Sequence, residues 1–145
     1  MLILALCLCG CGAYMKLDGS IARVRVVETG GEKNVLVVEF DVTNTARIAY
    51  VVKEAELEIP SGTGTLMGDS ISVRDAQTIC RHVASLNHDC AQALVTREQI
   101  PPGATVRRMV AASFPKSVKE LEERKGLLLR IRELDRMETE IRETR

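Results

Sequence analysis

The stretch Asn34 to Asn44, NVLVVEFDVTN, decides the fold. Leu36, Val38, Phe40 and Val42 alternate with Val35, Val37, Glu39 and Asp41, so one face is wholly apolar and the other turns acidic further along. A period of two over β-branched and aromatic residues marks a strand with one face in a core, because successive side chains point to opposite sides. Gly30-Gly31 precedes it, and Asn44 with Thr45 suits the turn that follows. The stretch therefore reads as the central strand of an all-β domain.

Upstream, Ile21 to Val27 alternates Ile21, Arg23 and Arg25 against Ala22, Val24 and Val26, a first strand. Glu28 to Lys33 is polar and Gly-rich, so the two strands form a hairpin. Downstream, Leu57 and Ile59 alternate with Glu56 and Glu58 in a strand interrupted near Lys53 and ended by Pro60. Ser61 to Ser70 is a loop by composition. Its three glycines do not make a phosphate cradle: Met67 stands where a dinucleotide loop needs Gly, and a P-loop lysine is absent. No nucleotide is expected.

From Ser72 the period changes. Val73, Ala76, Ile79 or Cys80, Val83 and Leu86 recur at three and four residues, predicting an inserted helix over about residues 73–87. Ser72 suits its N-cap, Asp75 its first turn, and Asn87-His88-Asp89 its stop. Pro102-Gly103 fits a type II turn. Thr105 to Phe114 is a strand ended by Pro115, and Ser117 with Glu120 forms a capping box opening a short helix over about residues 117–125, with Gly126 at C′. Leu127, Leu129 and Ile131 predict a further strand, and Met137 to Thr144 a last one with Thr139 and Ile141 inward. A single long C-terminal helix competes with this reading, but it would carry Gly126 inside it at a cost of about 1 kcal/mol.

The 145 residues have room for one domain with a sizeable core. Twenty basic and twenty acidic side chains balance, and the four aromatics offer no stacking platform, so nucleic acid is not an expected partner. The apolar start, MLILALCLCGC, is too short to span a bilayer. It resembles a bacterial lipoprotein signal, in which Leu8 and Gly10 place the lipid-modified cysteine at Cys11. Residues 1–19 are then a signal, anchor and tether, and 20–145 a single domain in the bacterial cell envelope, held to a membrane by lipid.

The chain also resembles a broad class of bacterial exported immunoglobulin-like domains. The resemblance is carried by the strand ending in Phe40-Asp-Val-Thr-Asn44, the Pro102-Gly103 turn and the strand closing at Phe114-Pro115. It implies a mainly β, antiparallel β-sandwich serving as a non-catalytic binding or assembly module, with another envelope protein as partner and no cofactor.

Chemistry-bearing side chains concentrate at 80–90. Cys80-Arg-His82 and His88-Asp-Cys90 hold both histidines of the chain and the two cysteines outside the apolar start. An exported protein favours a Cys80–Cys90 disulfide worth about 2–3 kcal/mol. The alternative is zinc held by Cys80, His82, His88 and Cys90, against which the i,i+2 spacing on a helix counts. A hydrolase triad of Ser85, His82 and Asp89 is a third reading, resting on sequence proximity alone. Glu54, Glu56 and Glu58 on one strand face, and Arg23 with Arg25 on another, read as solvated faces.

Overall fold

The computed structural model of the protein describes residues 17–135 and 137–144. Cys11 and the proposed signal lie outside them. Among the described residues there are nine strands, β1 (Leu17–Val27), β2 (Asn34–Asn44), β3 (Tyr50–Ser61), β4 (Gly64–Met67), β5 (Asp69–Ser70), β6 (Gln99–Ile100), β7 (Thr105–Phe114), β8 (Leu128–Glu133) and β9 (Glu138–Arg142), with helices α1 (Val73–His82) and α2 (Val118–Glu122). They form two antiparallel sheets, ordered β1-β2-β7-β5 and β4-β3-β8-β9, with β6 pairing the start of β3. This is the antiparallel sandwich with an inserted helix and a short second helix that the sequence predicts.

β2 occupies the predicted residues and is central, flanked by β1 and β7. Leu36, Val38, Phe40 and Val42 enter the space between the sheets and meet Tyr50, Val52, Leu57, Leu129, Ile131 and Phe114. Burying each large apolar side chain contributes about 1.5–3 kcal/mol. The opposite face of β2 is covered as well. Val35 and Val37 join Met109, Ala111, Ala76 of α1 and Leu86 in a second apolar cluster.

Two β-bulges set the phase of the strands. β3 shifts register between Val52 and Glu54, so Val52 before the bulge and Leu57 and Ile59 after it all reach the core. The predicted interruption at Lys53 is this bulge. β1 shifts between Ile21 and Arg23, which places Ile21, Val24 and Val26 against the core and corrects the expectation that Ile21 shares a face with the arginines.

Several boundaries differ from expectation. β1 begins at Leu17, so residues 17–20 are strand rather than tether; Leu17 is buried and its N–H donates to Thr139 Oγ1 at 3.0 Å. Pro60 does not end β3. Alternate residues of β3 turn their main-chain groups toward β4, and Pro60 turns its ring nitrogen the other way, beyond the last β8 pair at Glu58 and Leu128, where a missing donor costs nothing. The expected loop 61–70 is a hairpin plus a crossing. Gly62, with φ +58°, makes the tight turn between β3 and β4. Gly68 then carries the chain from one sheet to the other beneath Phe114, where an added Cβ would lie 2.5 Å from Phe114 Cζ.

α1 is capped by the Ser72 side chain accepting from Asp75 N–H, as predicted, but it ends at His82; Val83 is extended and Ala84–Leu86 form a 3₁₀ turn. The Ser117/Glu120 capping box of α2 is present in both halves, and Leu121 is fully buried. α2 ends at Glu122 and not at Gly126, and the predicted strand pair follows, with Thr139 and Ile141 inward. The type II geometry at Pro102-Gly103 holds, with Gly103 at φ +74°.

Candidate functional site

The hairpin register sets Arg23 opposite Glu39 and Arg25 opposite Val37 on the outer face of the first sheet, beside α1. Over them folds the segment that follows the 3₁₀ turn, bent by Asn87 and His88 with φ of 54° and 55°. Cys80 on α1 is joined to Cys90 at the end of this segment, with Cα atoms 6.2 Å apart. The staple fixes the segment, and the arginines fill the space beneath it.

Arg23 Nε donates to Glu39 Oε2 at 2.5 Å, and its two terminal nitrogens donate to Asp89 Oδ2 and Asp89 C=O at 3.0 and 2.8 Å. Arg25 donates to the C=O of Leu86 at 3.2 Å and of Asp89 at 2.7 Å, and reaches Cys90 Sγ at 3.5 Å. Ala91 N–H closes the set by donating to Glu39 Oε1 at 2.6 Å. Burial alone would push the Glu39 carboxyl up; the Arg23 hydrogen bond, the Ala91 N–H and both arginine charges outweigh it and hold the group below its ordinary value. The hydrogen bond from Arg23 likewise holds Asp89 down, and burial followed by the charge of Arg23 lowers Arg25. Further along the same face, Arg107 grips Asp41 through two bonds of 2.8 and 2.7 Å.

Arg23 and Arg25 are thus a lock for the stapled segment, and their expected role as a merely solvated face is corrected. Their positive ends are already matched by carbonyls and carboxylates of the chain itself. Sequence spacing misplaces the pair: counting both ways from the Glu28–Lys33 turn sets Val27 against Asn34 and so Arg23 against Val38, whereas Val27 pairs with Val35 and Arg23 with Glu39. What spacing also could not supply is the stapled loop that folds over them, leaving the Arg23 side chain 40% and the Arg25 side chain 17% exposed.

The other expected site residues are not gathered. Cys80 and Cys90 spend their sulfurs on each other, so the zinc set of Cys80, His82, His88 and Cys90 has no thiolate donor here. Both histidines are exposed, and no group of three His, Cys, Asp or Glu positioned to hold a metal occurs among the described residues. Asp89 serves Arg23 instead of orienting His82, so the Ser85, His82 and Asp89 series is not assembled. Glu54, Glu56 and Glu58 are not simply solvated: Arg132 pairs with Glu54 and Glu56, Arg130 with Glu58, and both with Glu138 of β9. This lattice makes the outer face of the second sheet.

A cleft of about 300 Å³ opens at the side of the sandwich. It lies between the edge of β3, the β5–α1 junction at Ser70–Val73 and the segment 93–96, with Met109, Val110 and Ala111 among its lining. No helix among the described residues is long and apolar enough to cross a membrane.

No protein-family model matches the chain, and no curated protein is significantly similar to it. Among solved structures, the crystal structure of the "Putative ApaA Protein" from Bordetella pertussis is similar over 90% of this chain and 91% of that one, at 12% identity and a TM-score of 0.37.

Proposed function

We propose that this chain is a non-catalytic binding or assembly module that works outside the cytoplasm, anchored in the bacterial cell envelope through lipid on Cys11. The observation that carries the reading is the Cys80–Cys90 disulfide, which joins the two cysteines that follow the apolar start. Such a bond persists in oxidising compartments and is rare where glutathione and thioredoxin keep thiols reduced. The arrangement beneath it supports binding over catalysis, since the terminal nitrogens of both arginines are engaged by Asp89 and by the Leu86 and Asp89 carbonyls and hold a surface in shape, although Arg25 Nε makes no hydrogen bond. Its partner is another envelope protein, met at a loop end or a sheet edge.

The test is made on the whole chain expressed in bacteria. Cells are treated with an alkylating mass tag before and after reduction, and the membrane and soluble fractions are compared for the wild type and Cys11→Ser. Export and anchoring predict a membrane-bound protein whose Cys80 and Cys90 are tagged only after reduction, and release of Cys11→Ser into the soluble fraction with the disulfide intact. Tagging of both cysteines without reduction, or a Cys11→Ser protein that fractionates like the wild type, would refute it.

A further inference from the structure

β8 pairs β3 without a gap from Val52 to Glu58 on one edge, but on the other edge the partners of β3 stop short in the middle. β6 pairs Tyr50 and Val51, and Arg97 and Glu98 exchange main-chain bonds with Val52. β4 pairs from Glu58 onward, and Gly68 N–H donates to Leu57 C=O at 2.9 Å. Between Val52 and Leu57 lies about 17 Å of strand, at about 3.4 Å per residue.

The alternation of the ladder tells which groups face this gap. Glu133 N–H donates to Met137 C=O and Glu143 N–H to Leu127 C=O, so the odd-numbered residues of β8 point their main chain at β9 and the even ones at β3. Glu54 and Glu56, registered with Arg132 and Arg130, therefore bond to β8, and Ala55 and Leu57 turn away from it. Among the described residues, Ala55 N–H, Ala55 C=O and Leu57 N–H have no partner. They face the cleft of about 300 Å³, whose floor includes Val52, Ala55, Val110 and Ala111. Glu54 and Glu56 are the ionisable side chains among its lining residues; they share the single Arg132 guanidinium, at 2.9 and 3.2 Å, and Glu56 Oε2 makes no hydrogen bond beyond that ion pair.

We infer that this notch receives an extended segment of a partner protein, with a basic, small apolar, basic sequence, as an inserted strand bridging β6 and β4. The inference rests on the binding-module reading and names the partner's chemistry. Main-chain groups of the segment satisfy Ala55 and Leu57; both flanking strands run antiparallel to β3, and the segment continues their direction. Its central side chain shares the face of Ala55 and enters the apolar floor. Its neighbours share the face of Glu54 and Glu56, where opposite charges pair across strands. β8 already shows the pattern on the other edge, where Arg130-Ile131-Arg132 sets Ile131 across from Ala55, while Arg132 pairs with Glu54 and Glu56 and Arg130 with Glu58.

The probe is the peptide acetyl-Thr-Arg-Val-Arg-Thr-amide, titrated into the full chain with amide resonances followed by NMR. The expected result is a saturable shift at Ala55 and Leu57, with slower exchange of their N–H groups. An acetyl-Thr-Glu-Val-Glu-Thr-amide control should bind at least tenfold more weakly, and Glu54→Lys should weaken the basic peptide at least fivefold with the fold unchanged by circular dichroism. Ala55→Pro, which deletes the free donor while sparing the β8 pairs, should abolish binding; if it fails to fold, Glu54→Lys decides. No shift at Ala55 and Leu57 at millimolar peptide would overturn the inference. So would equal binding of both peptides, or an Ala55 N–H already protected in the free protein. Such a failure with the thiol and fractionation results intact removes the notch and leaves the exported module standing.

Discussion

Removing the staple is the perturbation whose size the structure lets one work out. Cys80 and Cys90 are separated by 10 positions. For a closed loop of about 11 residues the chain-entropy relation gives about 9 cal/mol/K, or about 2.8 kcal/mol at 25 °C, by restricting the unfolded ensemble. The native arrangement has independent support, because Ala76 and Leu86 pack on Val37 and Met109 while Arg23 and Arg25 hold the Asp89 and Leu86 carbonyls. The double variant Cys80→Ser/Cys90→Ser should therefore fold to the same structure and lose about 2.8 kcal/mol. In urea this is a midpoint lower by about 1–2 M at a slope of about 1.5–2.5 kcal/mol/M. On heating it is a fall of about 8–9 °C, at roughly 3 °C per kcal/mol for a chain of this length. Wild-type protein unfolded in dithiothreitol should match the variant. A loss below about 1 kcal/mol would show that the loop is already restricted in the unfolded chain, and loss of the fold would show that the arginine lock depends on the staple; either refutes the reasoning.

Glu39 makes the protein acid-sensitive. Its folded-state value lies below the ordinary 4.5, so as pH falls the unfolded chain takes up the proton first and stability is lost from about pH 4.5 downward until Glu39 itself titrates. Asp41 and Asp89 act in the same direction, each held down first by a hydrogen bond from an arginine. Glu39→Gln should cost about 2–3 kcal/mol at pH 7 and flatten the acid limb of the stability curve measured by urea titration from pH 7 to pH 3. Asn44 is completely buried, its amide donating to the C=O of Ile48 and Ile100 at 2.8 Å each and its oxygen accepting from Ala46 N–H at 3.0 Å. Asn44→Ala should cost about 2–4 kcal/mol, whereas Thr43→Ala, at the solvent-facing Thr43–Thr105 pair, should cost under about 0.5 kcal/mol by the same assay.

Local patterns were legible where one principle dominated. The alternation in 34–44 gave the central strand to the residue, and Ser72 and Ser117 announced both helix starts, because a cap is satisfied by residues three positions away. Phase was legible at one of two places. The bulges at Ala22 and Lys53 both reverse which residues face inward; the break between two apolar groups marked the one at Lys53, whereas the unbroken alternation of Ile21 to Val27 hid the one at Ala22. Gly62, Gly64 and Gly68 read together as a loop, although one makes a hairpin turn and another a close passage beneath Phe114, two uses of glycine with the same composition. The site suffered most. Cys80 and Cys90 could be paired from sequence, but Arg23, Arg25 and Glu39 acquire their role from a segment 52 to 66 positions away that returns over them.

The bond from Leu17 N–H to Thr139 Oγ1 spans 122 positions and brings the first described strand beside the last, with Gly19 against Ile141. A chain emerging from its N-terminal side therefore cannot complete this seam until the final strand is free. Long-range pairing of this kind slows folding, since the closure entropy is spent before the contacts that offset it exist. Topologically the sandwich is a ring fastened where its two ends meet, and the exposed Gly30-Gly31 turn is a place where the same ring could be opened instead. A permuted chain, cut there and joined by a short linker from residue 144 to residue 17, would turn this contact across 122 positions into a local one.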